Sequence, residues 1–434
     1  MMDYARRRQE LMTQLDGGAL VLATAPERTR SNDTQFRYRP SSDFLYLTGF
    51  AEPDAVLVLT PGAEAEFTLF VRPRDKDKEI WDGHRYGPEG AIEAFGADAA
   101  FDIGELDSKL PELLADRERV YFPWSDDTGI DQRVMKAVRS LGASRKKPSR
   151  APTLVGNPTP LIHRMRMYKD ADELRLMARA AEITAHAHVE AMRATAPGKY
   201  EYEIEALIEQ FYRRNGAYGP AYTNIVAGGP GACILHYIEN DKRLKDGDLL
   251  LVDSGCEFDW YAADITRTWP VGKTFSPAQR EIYEAVLDAE NAAIDAARVG
   301  MTNHDLQKAT IRRLTQNMLD IGLMKGELNE LIETEAYKAY YMHGVGHYLG
   351  MDVHDVGVYY VAEEEGEPFR ENVVITVEPG IYVPPNDENA PERFRGIGVR
   401  VEDDVVITDG DPWVLTSDVP KTIEDIEAIR REHS

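Results

Sequence analysis

Residues 248–269 read DLLLVDSGCEFDWYAADITRTW, and this stretch decides the fold of the C-terminal half. The apolar run 249–252 leads directly into Asp253, a pattern typical of a buried strand that ends in a carboxylate. Gly255 then indicates a turn, and the alternation over 261–268 predicts a second strand beside the first. Because Asp264 lies 264 − 253 = 11 residues after Asp253, we expect the two acids on neighbouring strands.

Two further acids follow apolar, strand-like runs. Glu378 ends the strand predicted over 373–378 and precedes a proline, which keeps the strand end extended. In the strand predicted over 398–408, a period of two places Arg400 and Glu402 on one face and Asp403 on the other. Buried carboxylates are costly unless they are paired or bind metal. These acids, with few bases near them in sequence, therefore predict bound cations.

The segment 341–355 reads YMHGVGHYLGMDVHD and contains three of the ten histidines. Its glycines predict a tight, irregular backbone. His347 would complete a set of four carboxylates and one imidazole, which suits Mn²⁺, with Co²⁺ or Zn²⁺ as substitutes. Two such ions about 3.5–4 Å apart could share one water that attacks a peptide carbonyl. His236 is a weaker candidate for the same site.

The 434 residues, 43% of them hydrophobic, are enough for two domains. Strand-like runs (18–24, 55–59, 67–71) and helical stretches (near 89–95 and 131–141) predict an α/β domain over 1–165. The proline-rich segment 144–160, with basic residues at 145–147, is interpreted as an exposed linker or crossing segment. A second domain over 166–434 opens with long helices, the first capped by Asp170; Ser276-Pro277 predicts the start of a later helix.

Composition excludes several classes of function. The net charge of −25 repels phosphate backbones, so we expect no nucleic-acid partner. Cys233 and Cys256 form no CxxC pair and are interpreted as small buried hydrophobes in a reducing compartment. The basic N-terminus lacks an apolar signal core, and no window approaches 18 uninterrupted apolar residues. These features predict a cytoplasmic protein without a membrane partner.

Together these motifs resemble the pita-bread metallopeptidases and, within them, the Xaa-Pro aminopeptidase (aminopeptidase P) family. The likeness lies in the blocks around residues 251–256, 264–268, 343–355, 377–380 and 398–404. It extends through the N-terminal blocks 42–50 and 79–83, so it covers nearly the whole chain.

The resemblance implies a fold and a site. The fold is of α/β (α+β) class, with a creatinase-like N-terminal α/β domain before a C-terminal domain of curved, mostly antiparallel sheet flanked by helices. The expected reaction is hydrolysis of the first bond of peptides with proline at position two, by a hydroxide that bridges two metal ions, usually manganese. The implied ligands are Asp253, Asp264, His347, Glu378 and Glu402.

Further residues receive roles by the same resemblance. Glu378 would also shuttle a proton, and His354 would stabilise the tetrahedral intermediate. The remaining implied site residues are the substrate-contacting His236 and His343, Arg400 beside the metals, and Trp81, which would border the pocket of a neighbouring subunit. Relatives commonly form homodimers or homotetramers.

Three alternatives remain open. A prolidase would use the same metals but cleave only Xaa-Pro dipeptides, and it would need a cation for the dipeptide carboxylate. A methionine aminopeptidase resembles only the C-terminal half. An inactive relative would keep the fold and lose ligands, whereas all five ligand positions are filled here.

Overall fold

The computed structural model describes residues 2–124, 128–143, 150–363 and 365–432. The chain divides into two compact units, Met1–Met165 and Arg166–Ser434. In the described part of the chain, no helix combines the length and apolar character needed to cross a membrane. The basic cluster 145–147 lies outside the described residues.

The first unit is a sheet with helices. Its helices are α1 (Tyr4–Gln14), α2 (Ser42–Thr48), α3 (Lys76–Asp82), α4 (Gly87–Phe95), α5 (Leu106–Leu114) and α6 (Ile130–Ala143). A further helix, α7 (Thr159–Met167), contains the boundary, and its last two residues, Arg166 and Met167, belong to the second unit. Its strands are β1 (Ala19–Ala23), β2 (Thr29–Ser31), β3 (Thr34–Gln35), β4 (Val56–Leu59), β5 (Phe67–Val71), β6 (Ala99–Asp102), β7 (Arg119–Tyr121) and β8 (Leu154–Gly156).

Six of these strands form one mixed sheet in the order β6-β5-β4-β1-β7-β8. The strands predicted over 18–24, 55–59 and 67–71 are its three buried central members, and their alternate side chains pack against α5 and α6. Of the segment 144–160, interpreted as an exposed linker or crossing segment, residues 150–160 are described; they are largely exposed at 153–155 but are ordered. Leu154–Gly156 forms the edge strand β8 and α7 begins at Thr159, because backbone pairing with β7 orders this segment despite its prolines.

The second unit alternates helices with short strands. Its helices are α8 (Ala171–Ala194), α9 (Glu201–Arg214), α10 (Pro277–Ala296), α11 (Asn303–Asp320), α12 (Leu328–Glu333) and α13 (Ile423–Glu432). Its strands are β9 (Gly219–Pro220), β10 (Ile225–Gly228), β11 (Leu249–Ser254), β12 (Cys256–Phe258), β13 (Tyr261–Ala262), β14 (Ile265–Pro270), β15 (Tyr360–Ala362), β16 (Glu365–Gly366), β17 (Val374–Val377), β18 (Gly380–Tyr382), β19 (Gly398–Arg400), β20 (Asp403–Val406) and β21 (Trp413–Val414).

Side-chain caps begin two of these helices where the sequence predicts them. Asp170 accepts from the backbone of α8 while Glu173 bonds back to the Asp170 amide. Ser276 caps α10 in the same way with Gln279, and Pro277 occupies the first helical position. Such reciprocal bonds satisfy amides that have no partner inside the helix.

The pairings among these strands are antiparallel, in sheets of order β10-β11-β14, β13-β12-β9, β17-β20-β21, β18-β19 and β15-β16. Isolated bridges attach irregular segments to two of these sheets: Glu402 pairs with Thr266 of β14, and Tyr348 pairs with Ile375 of β17. The bridges bring Glu402 and the histidine segment next to strands that carry or precede the other acids.

Two predicted strands are interrupted. The run 261–269 breaks at 263–264, between β13 and β14, and the run 398–408 breaks at 401–402, between β19 and β20. At both breaks another segment of the backbone lies so close that regular strand pairing stops. A side chain at Gly255 would collide with the carbonyl group of Ala263, and Glu402 instead makes a single bridge to Thr266. Asp264 and Glu402 thus lie at breaks rather than within strands.

Candidate metal centre

The five predicted ligands lie around one cavity of about 400 Å³ in the second unit. Besides His347, three other histidines line this cavity. The lining residues that bear charge or an imidazole are Asp253, Asp264, His347, Glu378, Glu402, His236, His343, His354 and Arg400. Its other walls include the apolar side chains of Ile225, Leu235, Ile238 and Val353.

Strand register brings the carboxylates together. Asp253 of β11 lies opposite Thr266 of β14, and Thr266 in turn bridges to Glu402. One ligand atom each from Asp264, His347 and Glu402 lie within 4.8 Å of one another. His347 Nε2 is 3.4 Å from Asp264 Oδ2 and 3.7 Å from Glu378 Oε1. Residues up to 149 positions apart, 402 − 253, therefore form one cluster.

The histidine segment is tied to the strand that precedes Glu378. The Glu378 amide donates to the carbonyl of Val345 at 2.8 Å, and the Thr376 amide donates to that of His347 at 2.9 Å. The His347 amide returns a bond to Thr376 Oγ1 at 3.0 Å. These bonds hold the irregular backbone that places the His347 ring beside the acids.

The electrostatics of this cluster call for cations. Burial raises the pKa of Glu378 to about 7 and also raises the pKa of Asp264 and Glu402, and neighbouring carboxylates add to the effect. Burial lowers the pKa of His347, but its bond to Asp264 and the nearby acids outweigh this and raise it to about 9. Without a bound cation, the acids therefore tend to take up protons, which reduces the repulsion among them. A metal ion would neutralise the same negative charge and displace these protons.

The donors fit divalent ions. His347 Nδ1 lies 2.9 Å from the Tyr348 carbonyl and donates to it, so Nε2 faces the acids and can bind a metal ion that displaces its proton. The carboxylates are oriented by hydrogen bonds of their own. Thr266 donates to Glu402 at 2.5 Å, and Arg400 Nη2 donates to Asp253 Oδ2 at 2.5 Å. Four carboxylates and one imidazole are a hard, oxygen-rich set.

Comparison with known proteins agrees with this geometry. The model of metallopeptidase family M24 matches residues 175–409, and that of the aminopeptidase P N-terminal domain matches residues 4–121. The chain is 41% identical to the Xaa-Pro aminopeptidase of Escherichia coli, over 98% of this chain and 97% of that protein. It is 37% identical to human Xaa-Pro aminopeptidase 3, over 98% of this chain and 85% of that protein.

Solved structures agree as well. An aminopeptidase of Pseudomonas aeruginosa, 47% identical, superimposes with a TM-score of 0.97 over 98% of this chain and 97% of its own. Zinc-substituted E. coli aminopeptidase P in complex with product, 41% identical, gives 0.96 over 99% and 98%. The chain belongs to metallopeptidase family M24, with an aminopeptidase P N-terminal domain. The predicted family and α/β (α+β) fold class are confirmed, and the enzyme is a metallopeptidase.

In this M24 metallopeptidase, His343 is held neutral. Burial and the charge of Arg400 lower its pKa to about 4. Its Nδ1 lies 2.8 Å from the Gly344 carbonyl, so Nε2 is the acceptor of the Tyr382 hydroxyl at 2.8 Å. Arg400 Nη1 donates to the same hydroxyl at 3.0 Å. A relay therefore runs from the guanidinium to an imidazole on the cavity wall.

His354 and His236 approach the cavity from two loops. The His354 ring is exposed, and its centroid lies 4.4 Å from that of His347 in an edge-on arrangement. Burial and the charges of His347 and His236 lower the pKa of His354. Trp81 belongs to the first unit, where 87% of it is exposed on α3, and its place at a site remains a prediction.

The candidate metal centre also contains residues that were not predicted from the sequence. The Tyr222 hydroxyl donates to Asp253 Oδ1 at 2.6 Å and also to Asp264 Oδ1. Thr266 and Tyr382 contact Glu402 and His343 as described above. Thr266 could have been found from its period-two spacing from Asp264, whereas neither tyrosine lies in a pattern that indicates a site.

The predicted faces around Arg400 are correct, although the strand is broken. Its Nε donates to Thr266 Oγ1 at 3.1 Å on the side of Glu402, while Asp403 faces away and accepts from Arg267 and Lys421 at 2.6 and 2.7 Å. Cys256 is buried as predicted, whereas the same prediction is wrong for Cys233, which is partly exposed.

Proposed function

We propose that this metallopeptidase hydrolyses the first peptide bond of substrates with proline at position two, with two divalent ions held by Asp253, Asp264, His347, Glu378 and Glu402. The observation that carries the proposal is the convergence of these five donors on one cavity. The relatives named Xaa-Pro aminopeptidase match almost their full length, which supports the same reaction here. The units 1–165 and 166–434 are proposed as the N-terminal and catalytic domains.

The ions, when bound, supply an activated water and polarise the carbonyl of residue one. Glu378 takes the water's proton and passes it to the proline nitrogen, since its carboxylate faces the cavity beside the other proposed ligands, with Oε1 3.7 Å from His347 Nε2. Manganese is the proposed metal because the donors are mostly carboxylate oxygens, and cobalt or zinc would substitute.

The other histidines of the cavity contact the substrate. His354 donates an N–H to the carbonyl oxygen as charge develops on it. His236 and His343 hold the proline residue, with the apolar walls from Leu235, Ile238 and Val353 around its ring. Arg400 keeps Asp253 and Tyr382 in place through two bonds.

The cavity favours an aminopeptidase over a prolidase. A prolidase needs a cation for the substrate's carboxylate. Among the described residues that line the cavity, Arg400 is the only guanidinium or ammonium group, and its three nitrogens bond to Thr266, Tyr382 and Asp253. A longer peptide places its carboxylate farther away and needs no such partner.

Replacement of a ligand tests the metal role. With Mn²⁺ present, we expect Asp264→Ala to lose Arg-Pro-Pro hydrolysis by at least about 100-fold and to bind fewer ions. Asp288→Asn, on the α10 surface where the acid pairs with Arg313, should keep both. Wild-type turnover by Asp264→Ala would refute the proposed ligand set.

A comparison of Arg-Pro with Arg-Pro-Pro separates the two enzyme classes. Cleavage of the tripeptide with little turnover of the dipeptide supports the aminopeptidase, and the reverse preference identifies a prolidase. Repeating the assay with Mn²⁺, Co²⁺ and Zn²⁺ ranks the metals.

Three further predictions concern the assembly of the protein, Trp81 and the location in the cell. A homodimer or homotetramer is expected, which light scattering of the purified protein tests. Trp81 is proposed to border a neighbouring subunit's pocket, so Trp81→Ala should raise the KM for tripeptides. A location in the cytoplasm is part of the same proposal.

A further inference from the structure

The position of His354 is decided by a segment without regular structure. Between Leu349 and Tyr359, all of it described, the chain forms neither helix nor strand. Ladder hydrogen bonds therefore do not fix the imidazole. Something else must hold this segment if His354 is to meet a substrate in one orientation.

The next residue, Asp355, lies in a buried ion-pair cluster. Its Oδ1 is 2.6 Å from Arg166 Nη2 and its Oδ2 is 3.0 Å from Lys169 Nζ. The side chains of Arg166, Lys169 and Asp355 are only 3%, 1% and 1% exposed. Arg166 also pairs at 2.7 Å with the partly exposed Asp352, which precedes His354 by two residues in the sequence. We call Arg166, Lys169 and Asp355 the Asp355 clamp.

Both ends of the clamp are anchored. The Asp355 amide donates to the Tyr348 carbonyl at 2.9 Å, and the Lys169 amide donates to that of Asn372 at 2.9 Å. Gly350 lies directly against the cluster. A side chain there would collide with Asp355 Oδ2 and would approach Lys169 Cε to 3.0 Å. The geometry around the Asp355 carboxylate thus admits little movement.

Stability alone does not account for three buried charged side chains in the clamp. A buried ion pair is a weak source of stability, since apolar groups of the same volume often serve equally well. Its hydrogen bonds instead specify one geometry, because each charged group needs its partners at fixed distances. Two cations from residues 166–169 here fix one carboxylate that is adjacent to His354.

We propose, resting on the proposed function, that the Asp355 clamp is a positioning device that holds His354 in the orientation needed to donate to the reacting carbonyl oxygen. Arg166, Lys169 and Asp355 are positioning residues that act through His354. Loosening the clamp weakens an interaction made in the transition state, so kcat falls while KM changes little.

A double-mutant cycle tests the proposal. Lys169→Met removes one cation and leaves Arg166 on Asp355, and Asp355→Asn removes the charge with the shape retained. We expect each to lower kcat for Arg-Pro-Pro by about 10–100-fold, since small misplacements cost about this much. Bound metal should be unchanged, and Lys169→Arg should recover part of the loss.

The decisive comparison uses a His354→Ala background. There, Lys169→Met should lower kcat by no more than about two-fold, because residues that act through one group are not additive. The matched control is Arg280→Met, which removes a cation from the buried Glu427 carboxylate elsewhere in the unit and should leave kcat unchanged in both backgrounds. An equal loss with and without His354 would overturn the proposal, as would a wild-type kcat in both clamp variants.

A second measurement does not depend on activity. Hydrogen exchange followed by mass spectrometry should show faster exchange over residues 350–358 in Lys169→Met and unchanged exchange over 343–347. Unchanged exchange over 350–358 would also overturn the proposal. If the unsubstituted protein cleaves no Xaa-Pro peptide, the proposed function fails, while this measurement still decides whether the clamp holds the segment. Should Lys169→Met not fold, Asp355→Asn serves for both measurements.

Discussion

Thr266 Oγ1 lies 2.5 Å from Glu402 Oε2 and donates its hydroxyl hydrogen to that carboxylate. The Thr266 hydroxyl oxygen in turn accepts a hydrogen bond from Arg400 Nε at 3.1 Å. The threonine thus orients a proposed metal ligand without itself being one. Groups of this kind tune both the ligand and the affinity of the site.

Thr266→Val should therefore weaken metal binding by about 10–100-fold, because the isosteric side chain keeps its volume and loses the hydrogen bond. A metal titration of the chelator-treated protein measures the affinity. Thr310→Val, which removes a buried hydroxyl that donates to the Leu306 carbonyl within α11, should bind metal like the unsubstituted protein. Equal affinities for the two variants would contradict the orienting role of Thr266.

Tyr222→Phe should destabilise the metal-free protein more than the metal-loaded one. The hydroxyl is shared by Asp253 and Asp264, and its loss removes a donor from two adjacent acids. We expect the free energy of unfolding to fall by about 1–3 kcal/mol without metal, and by less when cations neutralise the acids. Denaturant unfolding with and without Mn²⁺ measures both values. For Tyr283→Phe, whose hydroxyl donates to the Lys421 carbonyl, the loss should not depend on metal.

His188 should contribute to acid destabilisation. It is fully buried in α8, and burial lowers its pKa from 6.5 to about 4. Between these values the unfolded chain binds a proton that the folded chain does not, so stability falls as the pH drops from about 6.5 to about 4. The total loss from this group is about 3 kcal/mol.

Replacement of His188 tests this linkage. In His188→Gln, the decline in unfolding free energy between pH 6.5 and 4 should become shallower by up to that amount, as followed by denaturant titrations. His186→Gln alters an exposed histidine of the same helix and should keep the original slope. Parallel slopes for His188→Gln and the unsubstituted protein would show that His188 is not the titrating group.

Arg430 should stabilise the fold without affecting the chemistry. Its guanidinium is buried and donates to carbonyl groups at the end of α8 and after β14, those of Met192, Thr195, Pro270, Val271 and Gly272. Arg430→Met leaves these acceptors unpaired and should lower the unfolding free energy by about 3 kcal/mol or more. Well below the melting temperature kcat should be unchanged. Arg431→Met, at the more exposed neighbouring position, should lower stability much less.

Much of the site was predictable because its signals are local. Acids at the ends of apolar runs, histidines among glycines and Arg400 two residues before Glu402 are each visible within a short window of sequence. Periodicity also located the main strands and the capped helices. Periodicity failed at 263–264 and 401–402, where the alternation of apolar and polar residues continues although the strand is broken. The close approach of Gly255 breaks the first, and the bridge from Glu402 to Thr266 accompanies the second.

The sequence by itself therefore determined which residues could bind metal and which stretches are strands, since burial pattern and side-chain chemistry are properties of neighbouring residues. Only the tertiary structure decided how the donors share one cavity, that Tyr222 joins two of them, and that Arg166 and Lys169 hold the residue after His354. These contacts join residues that are 31 to 189 positions apart, and no local pattern encodes a distance that arises only when separate strands and loops pack together.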